Sequence, residues 1–204
     1  MRKLITLIAI LTFSSSFLGQ SSVHGHDSRV AKTFLNNKRT LDRTYQYQML
    51  KSNKAWNDFK AAHGQWYCWF NEENGKPHRA YGQPISVPGI TADDKAMNFI
   101  TGKLGDFNIP VADLTLQAVN KTDKQSFIDY YQTYEGHKVL FSRMTVRLNS
   151  VGDVIMWGAD VFNDINLSTD PMIAPAGIET HAATGISTPI ESVVVQPDLA
   201  ILPM

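Results

Sequence analysis

The sequence has only one cysteine, Cys68, among its 204 residues. An intrachain disulfide is therefore excluded, so the folded chain must be stabilised by packing. The segment WYCWF around Cys68 contains no basic residue that would lower the pKa of the thiol. We therefore expect Cys68 to be a small apolar core residue and not a reactive nucleophile.

The chain also has no net charge, because 19 Lys and Arg residues balance 19 Asp and Glu residues. This balance gives no electrostatic reason to expect a nucleic acid or an anionic membrane as a partner. The hydrophobic share of 43% is enough for a globular domain with its own core.

Recognisable catalytic and metal-binding motifs are missing from the sequence as well. It has no His-Glu-x-x-His zinc helix, no Gly-x-Ser-x-Gly nucleophile elbow and no phosphate loop. His24, His26 and Asp27 stand close together, but in a polar stretch typical of a solvated tail. We therefore expect this chain to be non-catalytic and to contain no catalytic, cofactor-binding or metal-binding residue.

The N-terminus has the order of a secretory signal peptide. A basic start is followed by the apolar run Leu4–Phe13 and then by small and polar residues. An apolar run of ten residues is too short to span a bilayer. The pattern predicts a signal peptide over residues 1–20, cleavage between Gly19 and Ser22, and a secreted protein with no membrane partner after cleavage. The polar residues 21–52 predict a flexible lead-in.

Two helices and a hairpin are predicted in the next part of the chain. Trp56 and Phe59 have helical spacing in a segment that ends at Gly64, and Asn74-Gly75 predicts a tight turn between two strands. A linker with Pro84 and Pro88 follows. The segment TADDKAMNFITGKLG, with Thr91 as its N-cap, then predicts an amphipathic helix.

Residues 114–162 alternate between apolar and polar side chains and contain only short turns. This pattern predicts a four-stranded antiparallel meander with one face covered by the amphipathic helix, and thus an α+β fold. Aromatic residues in WYCWF and YYQTY are interpreted as cross-strand core pairs. The last residues, ESVVVQPDLAILPM, are apolar and strand-like. They predict either an incomplete second α+β unit or a final strand that docks into the first sheet.

The stretch YYQTYEGHKVLFSRMTVRLNSVGDVIMWG resembles the central pattern of the fungalysin/thermolysin propeptide (FTP) domain. That pattern has a strand ending in Gln and an aromatic residue, a Gly, a Val, a long strand, a Gly turn and a returning strand that ends in Gly. The matching positions are Gln132, Tyr134, Gly136, Val139, Gly152 and Gly158. The segments APAGIETHAA and PDLAILPM are similar to the start of a PepSY-type unit.

The resemblance implies a cystatin-like FTP propeptide domain over residues 53–168, followed over residues 169–204 by the beginning of a PepSY-like unit that is apparently truncated. Its implied role is that of the N-terminal pro-region of a secreted zinc metallopeptidase, which acts as intramolecular chaperone and inhibitor. The expected partner is the cognate metallopeptidase domain in the same chain, and zinc is expected only in that missing C-terminal domain. The alternative is a free-standing secreted protease inhibitor or binding module of cystatin-like shape.

Overall fold

The computed structural model describes residues 41–170 and 198–203. Within these residues the chain forms three helices, eight strands and two short 3-10 turns. The helices are α1 (Arg43–Ser52), α2 (Lys54–His63) and α3 (Ala92–Lys103). The strands are β1 (Trp66–Phe70), β2 (Pro77–Ile85), β3 (Leu114–Lys121), β4 (Gln125–Tyr134), β5 (His137–Val139), β6 (Arg143–Asn149), β7 (Val154–Asp160) and β8 (Ala200–Ile201).

Six of the strands form one antiparallel sheet. Its order is β1-β2-β7-β6-β4-β3, so the predicted meander of β3, β4, β6 and β7 is extended by the β1–β2 hairpin. The hairpin joins the meander where Ala80 in β2 pairs with Trp157 in β7. The mixed α+β fold predicted from the sequence is therefore confirmed, and the hairpin and the meander share one sheet.

Helices α2 and α3 begin at the polar residues that the sequence pattern indicates. The Thr91 side chain accepts a hydrogen bond from the backbone N–H of Asp94, and the Asp94 carboxylate accepts one from the N–H of Thr91. This capping box satisfies two backbone donors that the first turn would otherwise leave free. At the start of α2, Asn53 accepts a hydrogen bond from the N–H of Trp56.

The core lies between these two helices and one face of the sheet, and Phe59 of α2 is at its centre. The Phe59 ring contacts six other rings, with ring centroids between 4.8 and 6.4 Å from its own. Most of these contacts are edge-to-face, which is a favourable geometry for aromatic rings. The partners of Phe59 are Trp56, His63, Trp66, Phe99, Phe107 and Trp157.

Helix α3 is tied to the sheet by a hydrogen bond in addition to its apolar contacts. The hydroxyl of Tyr130 in β4 donates to the carboxylate of Asp93 in the first turn of α3. Burial, together with this hydrogen bond and the negative charge of Asp93, raises the pKa of Tyr130. The phenol therefore stays protonated and remains a donor.

Three details of the N-terminal half differ from the sequence prediction. Arg43–Ser52, placed in the flexible lead-in, is a helix, and its Gln46 amide exchanges two hydrogen bonds with the backbone of Phe70. Pro84 lies inside β2 and not in a linker. The β1–β2 turn spans residues 71–76, and only Gly75 of the Asn74-Gly75 pair has a positive φ, of 66°.

The last described residues of the chain are paired with a strand of the sheet. Ala200 and Ile201 form β8, which pairs in parallel with Lys138 and Val139 of β5. Ile201 is buried. The pairing of residues 200–201 is what the docked final strand would give, and the predicted second unit stays a prediction because residues 171–197 lie outside the described ones.

Several predictions from the sequence concern residues outside the described ones. The signal peptide over residues 1–20, the lead-in up to residue 40 and residues 171–197 of the PepSY-like segment all lie there. In the part of the chain that the structure describes, no helix is long and apolar enough to cross a membrane.

Removing the Phe59 ring is expected to destabilise the whole domain. We expect Phe59→Ala to lower the free energy of unfolding by about 3–5 kcal/mol, because a buried ring in contact with six others leaves a cavity. Urea denaturation followed by tryptophan fluorescence measures this change. Tyr47→Ala on α1, where the side chain is 67% exposed, is the control and is expected to change stability by about 0.5 kcal/mol or less. Equal effects of the two substitutions would contradict Phe59 as the centre of the core.

Candidate docking surface

The six motif residues of the sequence analysis lie in two hairpins. The β4–β5 hairpin contains Gln132, Tyr134, Gly136 and Val139, and the β6–β7 hairpin contains Gly152 and Gly158. Gly136 has a φ of 83° and follows Glu135, whose φ is 48°. Two consecutive positive φ angles are the geometry of a tight type I′ turn, which explains the glycine. Gly152 has a φ of 89° at the tip of the second hairpin, as predicted.

Gln132 is the most constrained of these residues, with 1% of its surface exposed. Its amide Nε2 donates to the carbonyl of Phe162 at 2.7 Å, and its Oε1 accepts from the N–H of Phe162 at 2.8 Å. Its own N–H donates to Oγ of Ser142 at 2.8 Å. The side chain thus replaces a stretch of backbone pairing at the end of the sheet, where buried polar groups without partners would be costly.

The gap that Gln132 closes comes from an interruption in the long strand that the sequence predicts. Residues 140–142 loop out between β5 and β6, and Phe141 has a φ of 61° and is 68% exposed. The hydroxyl of Ser142 donates to the carbonyl of Val139 at 2.6 Å and so closes the loop. The single strand from Val139 to Leu148 is therefore divided into β5 and β6.

The β4–β5 hairpin also receives the C-terminal strand. The N–H of Leu140 donates to the carbonyl of Ile201 at 2.7 Å, and Val139, which is fully buried, is paired with Ile201. Because β5 pairs with β8 on its outer edge, the β4–β5 hairpin is where a strand is added to the sheet.

Gly158 has a packing role of a different kind. A Cβ at this position would lie 2.2 Å from the carbonyl oxygen of His78. No side chain fits there, so the close approach of β2 to β7 requires glycine.

The sheet face opposite the helices carries a row of side chains that crosses six strands. Backbone pairing places each member next to the following one, and this open row consists of Tyr67, Tyr81, Met156, Arg147, Phe127 and Asn120. The adjacent row points into the core and includes Ala80, Trp157, Val146 and Ile128. Tyr67 is 59% and Tyr81 is 45% exposed, so the open row presents aromatic rings to solvent.

Cations lie over the aromatic rings on and beside the open row. The guanidinium of Arg147 is 4.9 Å from the centre of the Phe127 ring, and that of Arg79 is 5.7 Å from Trp69. The ammonium of Lys138 is 4.9 Å from the Tyr131 ring. Arg147 is buried and already paired with Asp129, whereas Arg79 and Lys138 are exposed, so these two cations are held beside rings while remaining open to solvent.

Asp129 connects two of the arginines on this face. Its carboxylate accepts hydrogen bonds from Arg143, Arg147 and Thr145, at 3.0, 3.0 and 2.7 Å. Burial alone would raise the pKa of Asp129, but the hydrogen bonds from Thr145 and Arg147 and the charge of Arg147 outweigh it and lower the pKa. Asp129 is therefore ionised at neutral pH and fixes the positions of both guanidinium groups.

The described residues contain no group of three or more His, Cys, Asp or Glu side chains placed to hold a metal ion. Cys68 packs against the core, and burial raises the pKa of its thiol to about 12. The thiol is therefore protonated at neutral pH, in agreement with the sequence prediction.

The sequence analysis missed the open row because it assigned the aromatic residues of the strands to the core. Tyr67 and Tyr81 do form a cross-strand pair, with ring centroids 5.8 Å apart, but on the solvent side. The alternation in WYCWF could have revealed this, since Trp66 and Phe70 are the buried residues of β1 and Tyr67 lies between them. The missing information was which face the helices cover.

Comparison with known proteins gives little similarity. No protein-family model matches the chain, and no curated protein matches it. Among solved structures it is similar to the C-terminal domain of YpeB from Bacillus megaterium, with 16% sequence identity and a TM-score of 0.35 over 70% of this chain and 74% of that one. A likeness this weak says nothing about activity, so a functional argument has to come from the residues themselves.

Replacing Gln132 is expected to open the end of the sheet. We expect Gln132→Ala to lower the free energy of unfolding by about 2–4 kcal/mol, because the N–H and C=O of Phe162 lose their partners in a buried position. Gln132→Glu keeps the shape of the side chain but loses the N–H that donates to the carbonyl of Phe162. It also buries a carboxyl group, and burial raises the pKa of that group in the folded state. Its stability deficit relative to wild type should therefore shrink as the pH falls from 7 to 5, because protonation restores the donor.

Gln117→Glu on the exposed side of β3 is the matched control, since it introduces the same charge without burial. We expect its melting temperature to stay within about 1 °C of wild type over the same pH range. Thermal unfolding followed by circular dichroism measures both variants. A Gln132→Glu deficit that does not change with pH would contradict the buried position of this amide.

Proposed function

We propose that the chain is a non-catalytic pro-region module of a secreted zinc metallopeptidase and that it binds the peptidase domain through the open row. The resemblance of residues 130–158 to the FTP pattern supports the class of protein. The observation that carries the proposal is the open face of the sheet, on which the exposed rings of Tyr67 and Tyr81 lie next to the exposed cation Arg79.

Aromatic and arginine side chains are the residue types that most often supply binding energy in protein interfaces. On this face they need little reorganisation, because β-sheet pairing fixes the backbone and the ring contacts fix the cations. An open sheet face of this kind is suited to another folded surface, which can cover several strands at once.

The charges of the open face indicate the chemistry of the partner. Arg79, Arg143, Arg147 and Lys138 bring four cations, whereas Asp129 and Asp160 bring two carboxylates. Asp129 forms ion pairs with Arg143 and Arg147. Within the described residues, no carboxylate lies within ion-pair distance of Arg79 or Lys138. A partner surface with carboxylates would therefore meet a face with an excess of positive charge.

A pro-region binds the peptidase domain and so stabilises its folded state or the transition state of its folding. This role needs binding energy but no catalytic residue. When both domains belong to one chain, the effective concentration is high, so that moderate affinity is sufficient. A free-standing inhibitor, the alternative, would instead need tight binding of a separate protein.

The test measures refolding and inhibition side by side. The chain without its predicted signal peptide, called the exported chain, is added to denatured thermolysin and, separately, to a denatured fungalysin. Each peptidase is then diluted from guanidinium, and the yield of active peptidase is measured. We expect at least a two-fold higher yield with the wild-type chain and a smaller gain at 0.5 M NaCl, because salt screens the charges. The double variant Tyr81→Ser/Arg79→Glu should lose the gain.

Tyr47→Ser/Lys103→Glu is the matched control, since it makes the same chemical changes on α1 and α3 and should keep the gain. Inhibition of the native peptidases distinguishes the two classes of protein. A pro-region is expected to raise the refolding yield and inhibit weakly, whereas a free-standing inhibitor gives nanomolar inhibition without changing the yield. If neither peptidase refolds better and neither is inhibited, the proposal is wrong.

A further inference from the structure

A cleft of about 430 Å³ lies at the end of the sheet near the β1–β2 turn, away from the open row. Four parts of the chain line it: the start of α2, the β1–β2 turn, the 3-10 turn after α3 and the segment after β7. The volume falls in the range of pockets that hold small ligands. Its lining residues include Phe162, which is half-buried, and Phe107, which is buried.

Lys76 is the unusual residue of this cleft. It lines the space, yet only 8% of its surface is exposed. Within the described residues no carboxylate forms an ion pair with its ammonium group. Burial lowers the pKa of Lys76, and the charge of Asp164 partly offsets this effect. Buried lysines are rare unless they are paired, so the ammonium group of Lys76, with Asp164 near but not in ion-pair contact, is suited to a second anion in the cleft.

The start of α2 favours an anion at the same place. Asn53 and Ala55, at the N-terminus of this ten-residue helix, both line the cleft. The Asn53 side chain caps the N–H of Trp56, and the first N–H groups of the helix carry the positive end of its dipole. The ammonium group and the helix end therefore attract the same kind of ligand.

The rim of the cleft has the opposite charge. Glu73, Asp106 and Asp164 line it and are all exposed. A simple anion would be repelled on its way in, and a simple cation would meet the buried ammonium. A ligand with both charges, a carboxylate at its inner end and a cation at its outer end, matches the whole site.

We propose that this cleft binds the C-terminal end of a short peptide, with the terminal carboxylate at Lys76 and a positively charged group at the acidic rim. A tripeptide is about 10 Å long when extended, which suits a pocket of this size. The lining is mainly polar, so we expect charge and hydrogen bonds to supply most of the binding energy. The inference does not depend on the proposed function, because it uses a different surface.

The probe is the tripeptide Lys-Ala-Ala, titrated into the ¹⁵N-labelled exported chain and followed by NMR. We expect shifts at the backbone amides of Gly75, Asn108 and Asn163, with a dissociation constant of about 1 mM or tighter. The same peptide with a C-terminal amide should bind at least about ten-fold more weakly, since it lacks the charge that Lys76 attracts. N-acetyl-Ala-Ala-Ala, which keeps the carboxylate but has no cation, should also bind more weakly.

Lys76→Met tests the role of the ammonium group. This substitution removes a buried charge and is expected to keep or raise the melting temperature, so that loss of binding cannot be attributed to unfolding. We expect it to weaken Lys-Ala-Ala binding at least about ten-fold. Lys124→Met, at an exposed position in the turn between β3 and β4, is the matched control and should bind as wild type. Equal affinity for the acid and the amide, undiminished binding by Lys76→Met, or no shifts at 10 mM peptide would each overturn the proposal.

Discussion

The double hydrogen bond between the buried amide of Gln132 and the backbone of Phe162 is the interaction on which the end of the sheet depends. Residues 140–142 leave the ladder beside β4, and without Gln132 the backbone of Phe162 would be buried with unpaired groups. The same interruption separates β5 from β6 and gives β5 an edge that accepts β8. The Gln132 side chain thus satisfies the backbone of Phe162 beside the strand break, and the backbone N–H of Gln132 contacts Ser142 within the break itself.

The two faces of the sheet differ in their exposure to solvent. On the covered face, aromatic rings from α2, α3 and the strands meet around Phe59, and three buried tryptophan N–H groups, of Trp56, Trp66 and Trp157, find no acceptor among the described residues. The ring contacts must offset the desolvation of these groups. On the other face, the rings stay partly in water and carry cations. The alternation of side chains along each strand therefore separates the packed rings of the core from the partly exposed rings of the open face.

Much of the fold could be predicted from local patterns. The capping box at Thr91 and the glycine turns at Gly136 and Gly152 are encoded within a few residues, and the structure has all three. The strand break was hidden because a phenylalanine, not a glycine, takes the positive φ at position 141. Helix α1 was missed because it has no buried residue and is fixed by a contact between Gln46 and Phe70, 24 positions apart. The open row and the cleft at Lys76 need the three-dimensional pairing, which no local pattern contains.

The parallel pairing of β8 with β5 has a consequence for the order in which the molecule opens. About 60 residues separate the two strands along the chain, and closing so long a connection costs more conformational entropy than closing the short hairpins of the sheet. Only two residues pair in return. Segments with few contacts and a costly closure exchange between bound and free forms well below the energy of global unfolding. We therefore expect the C-terminal strand to leave the β5 edge more readily than the rest of the sheet opens, and the N–H of Leu140, which donates to Ile201, is the amide whose solvent exchange would report each opening.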